Sequence, residues 1–278
     1  MSDMVGSVLR VGARNARFQQ WQALLSNRAK RQRAGEFLVH GVRPISLAIS
    51  HGWPVRTLLY DDDRVTQSSW AAELLDRVDA DRIAVRAELL AELGDKAEGA
   101  PELIAVVGMP PDDPARIPVG PDLLVVVFDR PGSPGNIGSL IRSADAFGAS
   151  AVVITGHAAD PYDPKSVRAS TGSLFALPVV RLPSHRPVLD WAEAVRGDGV
   201  PLRLVGADER GQTPIAELDL TGPTALVIGN ETVGLSGAWR EACDALMRIP
   251  MSGAASSLNA AAAGSVALYE AARQRSAG

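Results

Sequence analysis

The second half of the chain alternates short, continuous apolar runs with segments of helical periodicity, and this alternation constrains the fold more than any other feature. Strands that are apolar on both faces are typical of a parallel sheet covered by helices on both sides. This half is therefore predicted to be an α/β domain with a mostly parallel sheet. The predicted strands are 123–129, 151–155, 202–207, 224–229 and 245–250. The predicted helices are 136–148, 188–197, 235–243 and 257–275.

The first half has a different pattern. A single helical arm is predicted over 13–35, followed by the strands and helices of a smaller α/β unit. Residues 108–122 contain five prolines and no periodicity, which is typical of a linker. We therefore predict an N-terminal domain at 1–107, a linker at 108–122 and a C-terminal domain at 123–278.

Charge is distributed unevenly along the chain, although the net charge is only −4. Residues 1–43 carry eight basic and two acidic side chains, whereas residues 44–121 carry seven basic and fourteen acidic ones. A basic segment on an acidic body suggests a polyanion such as RNA, but a solvated basic helix would explain the charges equally well. The candidate RNA-binding residues here are Arg14, Arg17, Arg28, Lys30, Arg31, Arg33 and Arg43.

The sequence also limits the class of protein. One cysteine, Cys243, excludes an internal disulfide and a cysteine-cluster metal site. No apolar run reaches the roughly 20 residues that a membrane helix needs. The first residues lack the apolar core of a secretory signal. We expect a cytoplasmic protein without a bound metal.

Ligands of parallel α/β sheets bind beyond the carboxyl ends of the strands. The predicted site therefore lies in the loops after residues 129, 155, 207, 229 and 250. The first loop, FDRPGSPGNIGS, can present backbone N–H groups to an anion at a helix start. Its GxxGxxG spacing differs from the GxGxxG dinucleotide motif, which argues against a nicotinamide-dependent oxidoreductase.

Three side chains near these loops have a structural as well as a functional interpretation. Asn136 could be the N-cap of the following helix. Arg142 lies beside apolar residues of that helix, so its charge could simply extend to solvent. Glu231, in GNETVGLSG, either needs a buried partner or favours the positive end of a helix dipole.

Three blocks occur in order: NIGSLIRSADAFG, ALVIGNETVGLS and IPMSGAASSLNAAAAGSVALYEAARQR. Together they resemble the SpoU/TrmH class of SPOUT RNA 2′-O-ribose methyltransferases over residues 123–278. NRAKRQRAGEFLVHGVRPI is similar to the RNA-binding domain that often precedes the catalytic domain in this class. Within the class, the whole chain resembles the 23S rRNA methyltransferases that confer antibiotic resistance, the avilamycin-resistance enzyme above all.

The resemblance implies a trefoil knot at the C-terminal end, a homodimer with the knot region at its interface, and S-adenosylmethionine as cofactor. Matched positions imply cofactor contacts at Gly206, Gly229, Ile249 and Leu258. They also imply that Arg142 clamps a phosphate and stabilises the developing alkoxide, and that Asn136, Glu231, Ser257 and Asn259 hold Arg142 and the knot loops by hydrogen bonds.

In the resistance enzymes a basic residue that matches Arg168 binds RNA, and Lys165 is its neighbour; both could instead be ordinary surface charges of a helix.

Other functions remain open at this point. A tRNA 2′-O-methyltransferase would present similar charges, because tRNA and rRNA are similar polyanions. A non-catalytic RNA-binding protein would explain the basic arm but not Arg142 or the SLN block. Arginine is permanently protonated at physiological pH, so the group that accepts the proton of the 2′-hydroxyl is not identified.

Overall fold

The computed structural model describes residues 9–61, 67–94 and 101–276. The chain divides into two compact units, one comprising Met1–Pro110 with Tyr162–Pro164 and the other Pro111–Pro161 with Lys165–Gly278. Among the described helices, none is both long enough and apolar enough to cross a membrane.

The first unit contains a five-stranded mixed sheet in the order β1-β4-β3-β5-β2. β5 runs antiparallel to β2 and β3, and the other described pairs are parallel. Its strands are β1 (Leu9–Val11), β2 (Glu36–His40), β3 (Val55–Asp61), β4 (Asp81–Val85) and β5 (Leu103–Gly108). Its helices are α1 (Ala16–Ser26), α2 (Arg28–Ala34), α3 (Val42–Ser50), α4 (Ser69–Arg77) and α5 (Ala87–Leu93).

The predicted arm over 13–35 is two helices rather than one. Asn27 ends α1 with an extended backbone, and its side chain accepts a hydrogen bond from the Lys30 N–H to begin α2. Asparagine is favoured at N-caps because its short side chain satisfies a free N–H of the first turn. α2 ends at Gly35, whose φ of 64° is left-handed and favours glycine. The prediction of a helical arm did not identify the cap inside it.

The second unit contains a seven-stranded sheet in the order β10-β12-β9-β11-β6-β7-β8, and every described pair is parallel. All residues of β6, β7 and β11 are buried, which confirms the predicted mostly parallel sheet. The strands are β6 (Leu124–Asp129), β7 (Ala151–Thr155), β8 (Val179–Leu182), β9 (Arg203–Ala207), β10 (Thr213–Pro214), β11 (Thr224–Ile228) and β12 (Ala245–Arg248). The helices are α6 (Pro134–Ala146), α7 (Pro164–Ser170), α8 (Arg186–Gly197), α9 (Gly237–Ala242) and α10 (Ala260–Ser276).

Two helix starts differ from those predicted. α6 begins at Pro134, and its N-cap is Ser133, whose hydroxyl accepts from the Asn136 N–H. Asn136 is therefore inside the first turn and is not the cap. α10 begins at Ala260 rather than 257, because the Asn259 side chain accepts from the N–H groups of Ala261 and Ala262. β8 was not predicted, and α7 was considered only as the helix on which Lys165 and Arg168 could be surface charges.

Candidate functional site

A cleft of about 400 Å³ opens beyond the carboxyl ends of β9, β11 and β12, which are neighbours in the sheet. Its walls are the loops that follow these strands, together with the start of α10. The lining residues are Ala207, Asp208, Glu209, Arg210, Ile228, Gly229, Asn230, Glu231, Thr232, Val233, Gly234, Leu235, Arg240, Met247, Ile249, Met251, Ser257, Leu258, Ala260 and Ala263. The volume is within the range of small-molecule sites, about 300–1,000 Å³.

Three of the five predicted loops, those after residues 207, 229 and 250, line this cleft. The loop after residue 129 contacts the cleft wall through hydrogen bonds, and the loop after 155 is not part of the lining. The strand order explains the difference. β7 lies two strands away from β11, on the side opposite to β9 and β12, so its loop is remote from the other three.

Most of the residues predicted to bind the cofactor are in the cleft wall. Gly229, Ile249 and Leu258 line it, as does Ser257. Gly206 does not; a Cβ there would lie 2.8 Å from a methyl carbon of Leu235 and 3.0 Å from the Cys243 sulfur, two residues that flank α9, so close packing of β9 against this segment accounts for the glycine. A Cβ on Gly229 would lie 2.3 Å from the carbonyl carbon of Gly234, which means that two backbone segments pass each other too closely for any side chain.

Glu231 connects the cleft wall to the start of α6. Its carboxylate accepts hydrogen bonds from the backbone N–H groups of Gly132 at 2.8 Å and Ser133 at 3.1 Å. It also accepts one from the side-chain amide of Asn136 at 3.0 Å. The predicted anion-binding turn is thus occupied by a carboxylate of the same chain. Glu231 does lie at the positive end of a helix dipole. The helix is α6, however, and not α9, the next helix after Glu231 in the sequence.

The pKa of Glu231 reflects this arrangement. Burial raises it, but the hydrogen bonds from Gly132, Asn136 and Ser133 outweigh burial, so the pKa lies below the ordinary glutamate value. A carboxylate that receives several hydrogen bonds, here including one from the Asn230 amide at 3.4 Å, is stabilised in its charged form. Glu231 is therefore an anion at neutral pH.

Replacing Glu231 with glutamine should lower the free energy of unfolding at pH 7 by about 1 kcal/mol, because charge-assisted hydrogen bonds are lost at a partly exposed site. A folded-state pKa below the unfolded value gives stability that is present above the unfolded pKa and lost as pH falls through the folded pKa. The difference from wild type should therefore shrink in acid. Urea unfolding at pH 7 and at decreasing pH measures it. Glu217→Gln, at an exposed carboxylate without a hydrogen bond in the described chain, should change little.

Asn136 and Asn259 extend the same network towards α10. The side-chain amide of Asn259 donates to the side-chain oxygen of Asn136 at 3.1 Å, while its own oxygen caps α10. Asn136 in turn donates to Glu231. One chain of hydrogen bonds therefore joins the cleft loop after β11, the first turn of α6 and the first turn of α10.

Arg142 lies outside this network. It is exposed on α6, and within the described residues it has no hydrogen bond or ion pair. The expectation that Asn136, Glu231, Ser257 and Asn259 hold Arg142 by hydrogen bonds is therefore wrong. Asn136, Glu231 and Asn259 instead hydrogen-bond to one another. Six residues of α-helix are about 1.7 turns, so Asn136 and Arg142 leave α6 in different directions. An unpaired, exposed guanidinium is free to bind an anion from outside.

The basic residues of the first unit separate into distinct groups. Arg31 is only 2% exposed and donates to the Leu24 carbonyl at 2.7 Å. It satisfies the carbonyl end of α1, so its assignment as an RNA-binding residue is wrong. Arg14 and Arg17 form surface ion pairs with Glu92 and Asp81.

The other candidate RNA-binding side chains of the first unit are on or near α2. Lys30 and Arg33 are exposed and have no polar side-chain partner among the residues that the structure describes. Arg28 is half-buried, and Arg43 is exposed at the start of α3; both make polar contacts. In the second unit, Lys165 and Arg168 are exposed on α7 and also have polar contacts.

Several residues of the site were not found from the sequence. Asp208 and Arg240 form an ion pair in the cleft wall, with 2.6 Å between the arginine Nε and the carboxylate. Arg248 donates to the Gly211 carbonyl at 3.1 Å. Asn230 donates to the Arg130 carbonyl at 2.7 Å and so ties the loops after β6 and β11 together. The local sequence pattern does not indicate these hydrogen-bond partners. The position of polar residues at strand ends was the one sign that they could belong to a site.

Comparisons with known proteins agree with this architecture. The SpoU L30e-like domain profile matches residues 15–105, and the SpoU rRNA Methylase family profile matches residues 123–269. The chain is 64% identical over 269 residues to a 23S rRNA (uridine(2479)-2'-O)-methyltransferase of Streptomyces viridochromogenes, which covers 97% of this chain and 93% of that protein.

Solved structures are also similar. The SpoU methyltransferase AviRb from Streptomyces viridochromogenes, in complex with the cofactor AdoMet, superposes with a TM-score of 0.92 at 64% identity, covering 95% of this chain and all of that one. An AdoMet-bound rRNA methyltransferase from Sinorhizobium meliloti has a TM-score of 0.83 at 28% identity, covering 96% and 98% of the two chains. On the matched profile and the near full-length identity, the chain belongs to the SpoU rRNA methylase family.

Proposed function

We propose that this protein transfers a methyl group from S-adenosylmethionine to the ribose 2′-hydroxyl of a nucleotide in 23S rRNA, a uridine by analogy with its relative. The observation that carries the proposal is the cleft at the ends of β9, β11 and β12, built by the same blocks that match the SpoU family. Such a modification in the cytoplasm could protect ribosomes from an antibiotic that binds near the methylated nucleotide.

The residues of the cleft fit S-adenosylmethionine. Gly229 leaves no room for a Cβ, so the loop backbone itself forms that part of the wall. Ile249 and Leu258 offer apolar surface to an adenine ring. Gly206 would contribute only through the backbone next to Ala207. The C-terminal segment that builds this wall is also where we place the trefoil knot.

The side chains of the proposed site have separate roles in methyl transfer. When bound, S-adenosylmethionine supplies an electrophilic methyl group. Arg142 binds the phosphate next to the target ribose and stabilises the negative charge that develops on the 2′-oxygen. Glu231, Asn136 and Asn259 fix the cleft loop relative to α6, the helix that carries Arg142. Ser257 lines the cleft two residues before Asn259 and would contact the incoming ribose.

In the first unit, the exposed side of α2 is the favoured surface for RNA phosphates, because Lys30 and Arg33 are not neutralised by acidic partners. Arg28 and Arg43 would add to it, and Lys165 and Arg168 would bind RNA from the second unit. Arg14 and Arg17 are weaker candidates, since Glu92 and Asp81 already pair with them.

Replacing Lys30 and Arg33 together with alanine should weaken RNA binding and lower the salt dependence of log K by about 0.7–0.9 per lost phosphate contact. Filter binding to a 23S rRNA fragment at several salt concentrations measures both effects. The matched control is Arg14→Ala with Arg17→Ala, which removes the same charge but should have the smaller effect. Equal effects of the two double variants would contradict this placement of the RNA surface.

A second copy of the chain is the proposed partner of α10. Ala262, Val266 and Tyr269 are exposed at helical spacing, so they form one apolar stripe. The Tyr269 ring packs edge-on against Phe147, the residue that follows α6, with 5.9 Å between the ring centroids. An exposed apolar stripe is typical of an interface. Tyr269→Glu should convert a dimer to a monomer in light scattering, whereas Glu217→Gln should leave the mass unchanged.

Methyl transfer can be tested directly with tritiated S-adenosylmethionine and three deproteinised substrates: 23S rRNA, 16S rRNA and bulk tRNA. Label only in 23S rRNA, at a ribose 2′-oxygen, is the expected result. Label only in tRNA would favour the alternative substrate. A protein that binds RNA, transfers no label and does not bind S-adenosylhomocysteine would be a non-catalytic RNA-binding protein.

A further inference from the structure

The loop after β9 is one wall of the cleft, and an ion pair with a buried carboxylate holds it. Ala207, Asp208, Glu209 and Arg210 all line the cleft. The side chain of Asp208 is only 3% exposed, while that of its partner Arg240, on α9, is 36% exposed. A buried carboxylate is tolerated because its charge is paired and hydrogen-bonded.

The carboxylate of Asp208 also shapes the loop itself. One oxygen accepts the Arg210 N–H at 2.8 Å, and the other accepts Arg240 Nε at 2.6 Å. The Asp208 N–H donates to the Met247 carbonyl at 2.9 Å, so β12 supports the loop from behind. Burial raises the pKa of Asp208, but the hydrogen bonds from Arg210 and Arg240 outweigh it and leave the pKa below its usual range.

A second arginine fixes the far end of the same loop. Arg248, the last residue of β12, donates to the carbonyls of Gly211 and Gln212. There is no room for a side chain at Gly211, where a Cβ would lie 2.6 Å from the Met247 carbonyl carbon. The loop is therefore held at both ends by segments that also contribute to the cleft.

We infer that Asp208 and Arg240 are positioning residues for the cofactor: their ion pair fixes the loop after β9 against α9, so that the cleft is preformed. This inference rests on the proposed function, because it assumes that the cleft binds S-adenosylmethionine. Preorganisation acts on ligand affinity, since an ordered wall costs no conformational entropy at the moment of binding. The pair should therefore affect cofactor binding much more than the chemical step.

The chain contains a matched control pair. Arg196 and Asp244 are also 2.6 Å apart, with side chains 37% and 40% exposed, and neither lines the cleft. Arg196→Gln removes the same type of interaction from the same unit. Loss of an ion pair as such would affect both variants, whereas an effect on the cleft would occur only at Arg240; the carboxylate left behind is more exposed at Asp244 than at Asp208.

The test is calorimetric titration with S-adenosylhomocysteine, combined with methyl-transfer kinetics. Arg240→Gln should raise the Kd by about tenfold, the factor for one lost charge-assisted hydrogen bond. The KM for S-adenosylmethionine should rise in parallel, with kcat within about twofold of wild type. Arg240→Lys, which keeps the charge, should recover part of the affinity, and Arg196→Gln should leave the Kd unchanged.

An unchanged Kd in Arg240→Gln, an equal rise in Arg196→Gln, or a loss confined to kcat would overturn the inference. If Arg240→Gln does not fold, Asp208→Asn with Arg240→Gln avoids a lone buried charge; an unchanged Kd in that double variant would also overturn it. Wild-type protein that does not bind S-adenosylhomocysteine would instead refute the proposed function, so the two failures are distinguishable.

Discussion

Arg142→Ala should lower kcat for methyl transfer by about 10³-fold while the Kd for S-adenosylhomocysteine stays near the wild-type value. Removing one group that stabilises developing oxygen charge typically costs about 10²–10³-fold. Arg142 is exposed on α6, is not part of the cleft lining, and has no polar partner in the described chain. Its loss therefore leaves no broken ion pair, so stability should be nearly unchanged. Single-turnover transfer to 23S rRNA and calorimetry measure the two quantities.

Arg186→Ala is the control for Arg142, because Arg186 is exposed at the start of α8 in the same unit and outside the proposed site. It should keep wild-type kcat. Arg142→Lys keeps the charge but loses the planar fork that binds a phosphate with two hydrogen bonds, so it should recover only part of the rate. Wild-type activity in Arg142→Ala would show that another group stabilises the 2′-oxygen.

Gly229→Ala should abolish cofactor binding and lower the free energy of unfolding by about 3 kcal/mol, the upper part of the range for overpacking. The added methyl would lie 2.3 Å from the Gly234 carbonyl carbon and 2.4 Å from the Leu235 nitrogen. Both are backbone atoms, so they cannot rotate away as a side chain could. The cleft loop must shift, and calorimetry with S-adenosylhomocysteine and urea unfolding should both detect it.

Gly237→Ala is the matched control for Gly229. It is the same substitution eight residues later, at the first residue of α9, where a Cβ would meet no atom within 4 Å. Its Kd for S-adenosylhomocysteine should equal that of wild type, and alanine in a helix should not reduce stability. A Gly229→Ala variant that binds as tightly as Gly237→Ala would mean that the loop rearranges without cost.

The local sequence pattern was sufficient to predict strands whose residues are all buried, because burial requires apolar residue types. The apolar runs at 123–129, 151–155 and 224–229 are strands in which every residue from Leu124 to Asp129, and all of β7 and β11, is buried. A fully buried parallel strand needs a continuous apolar run, so such strands are visible without the structure. β8 was missed, although it too is mostly buried, because its four residues include Arg181.

The local sequence pattern did not predict the role of a polar side chain whose hydrogen-bond partner lies in another part of the chain. Arg31 has the same chemistry as its exposed neighbours Lys30 and Arg33, yet it is buried against the Leu24 carbonyl. Glu231 was correctly expected to need a partner, but its partners are 95 to 99 residues away at the start of α6. Charge and spacing alone cannot distinguish a side chain that binds RNA from one that satisfies a helix end.

Residue pattern was enough to predict the alternation of strands and helices, the parallel class of the sheet and three of the loops that line the cleft. Each of these follows from periodicity and from the rule that ligands bind beyond the carboxyl ends of parallel strands. The folded chain was needed to show that the loops of β9, β11 and β12 share one cleft, that Glu231 occupies the anion-binding start of α6, and that Asp208 pairs with Arg240. The physical reason is that strand order and long-range hydrogen bonds depend on which elements become neighbours, and local residue pattern does not specify this.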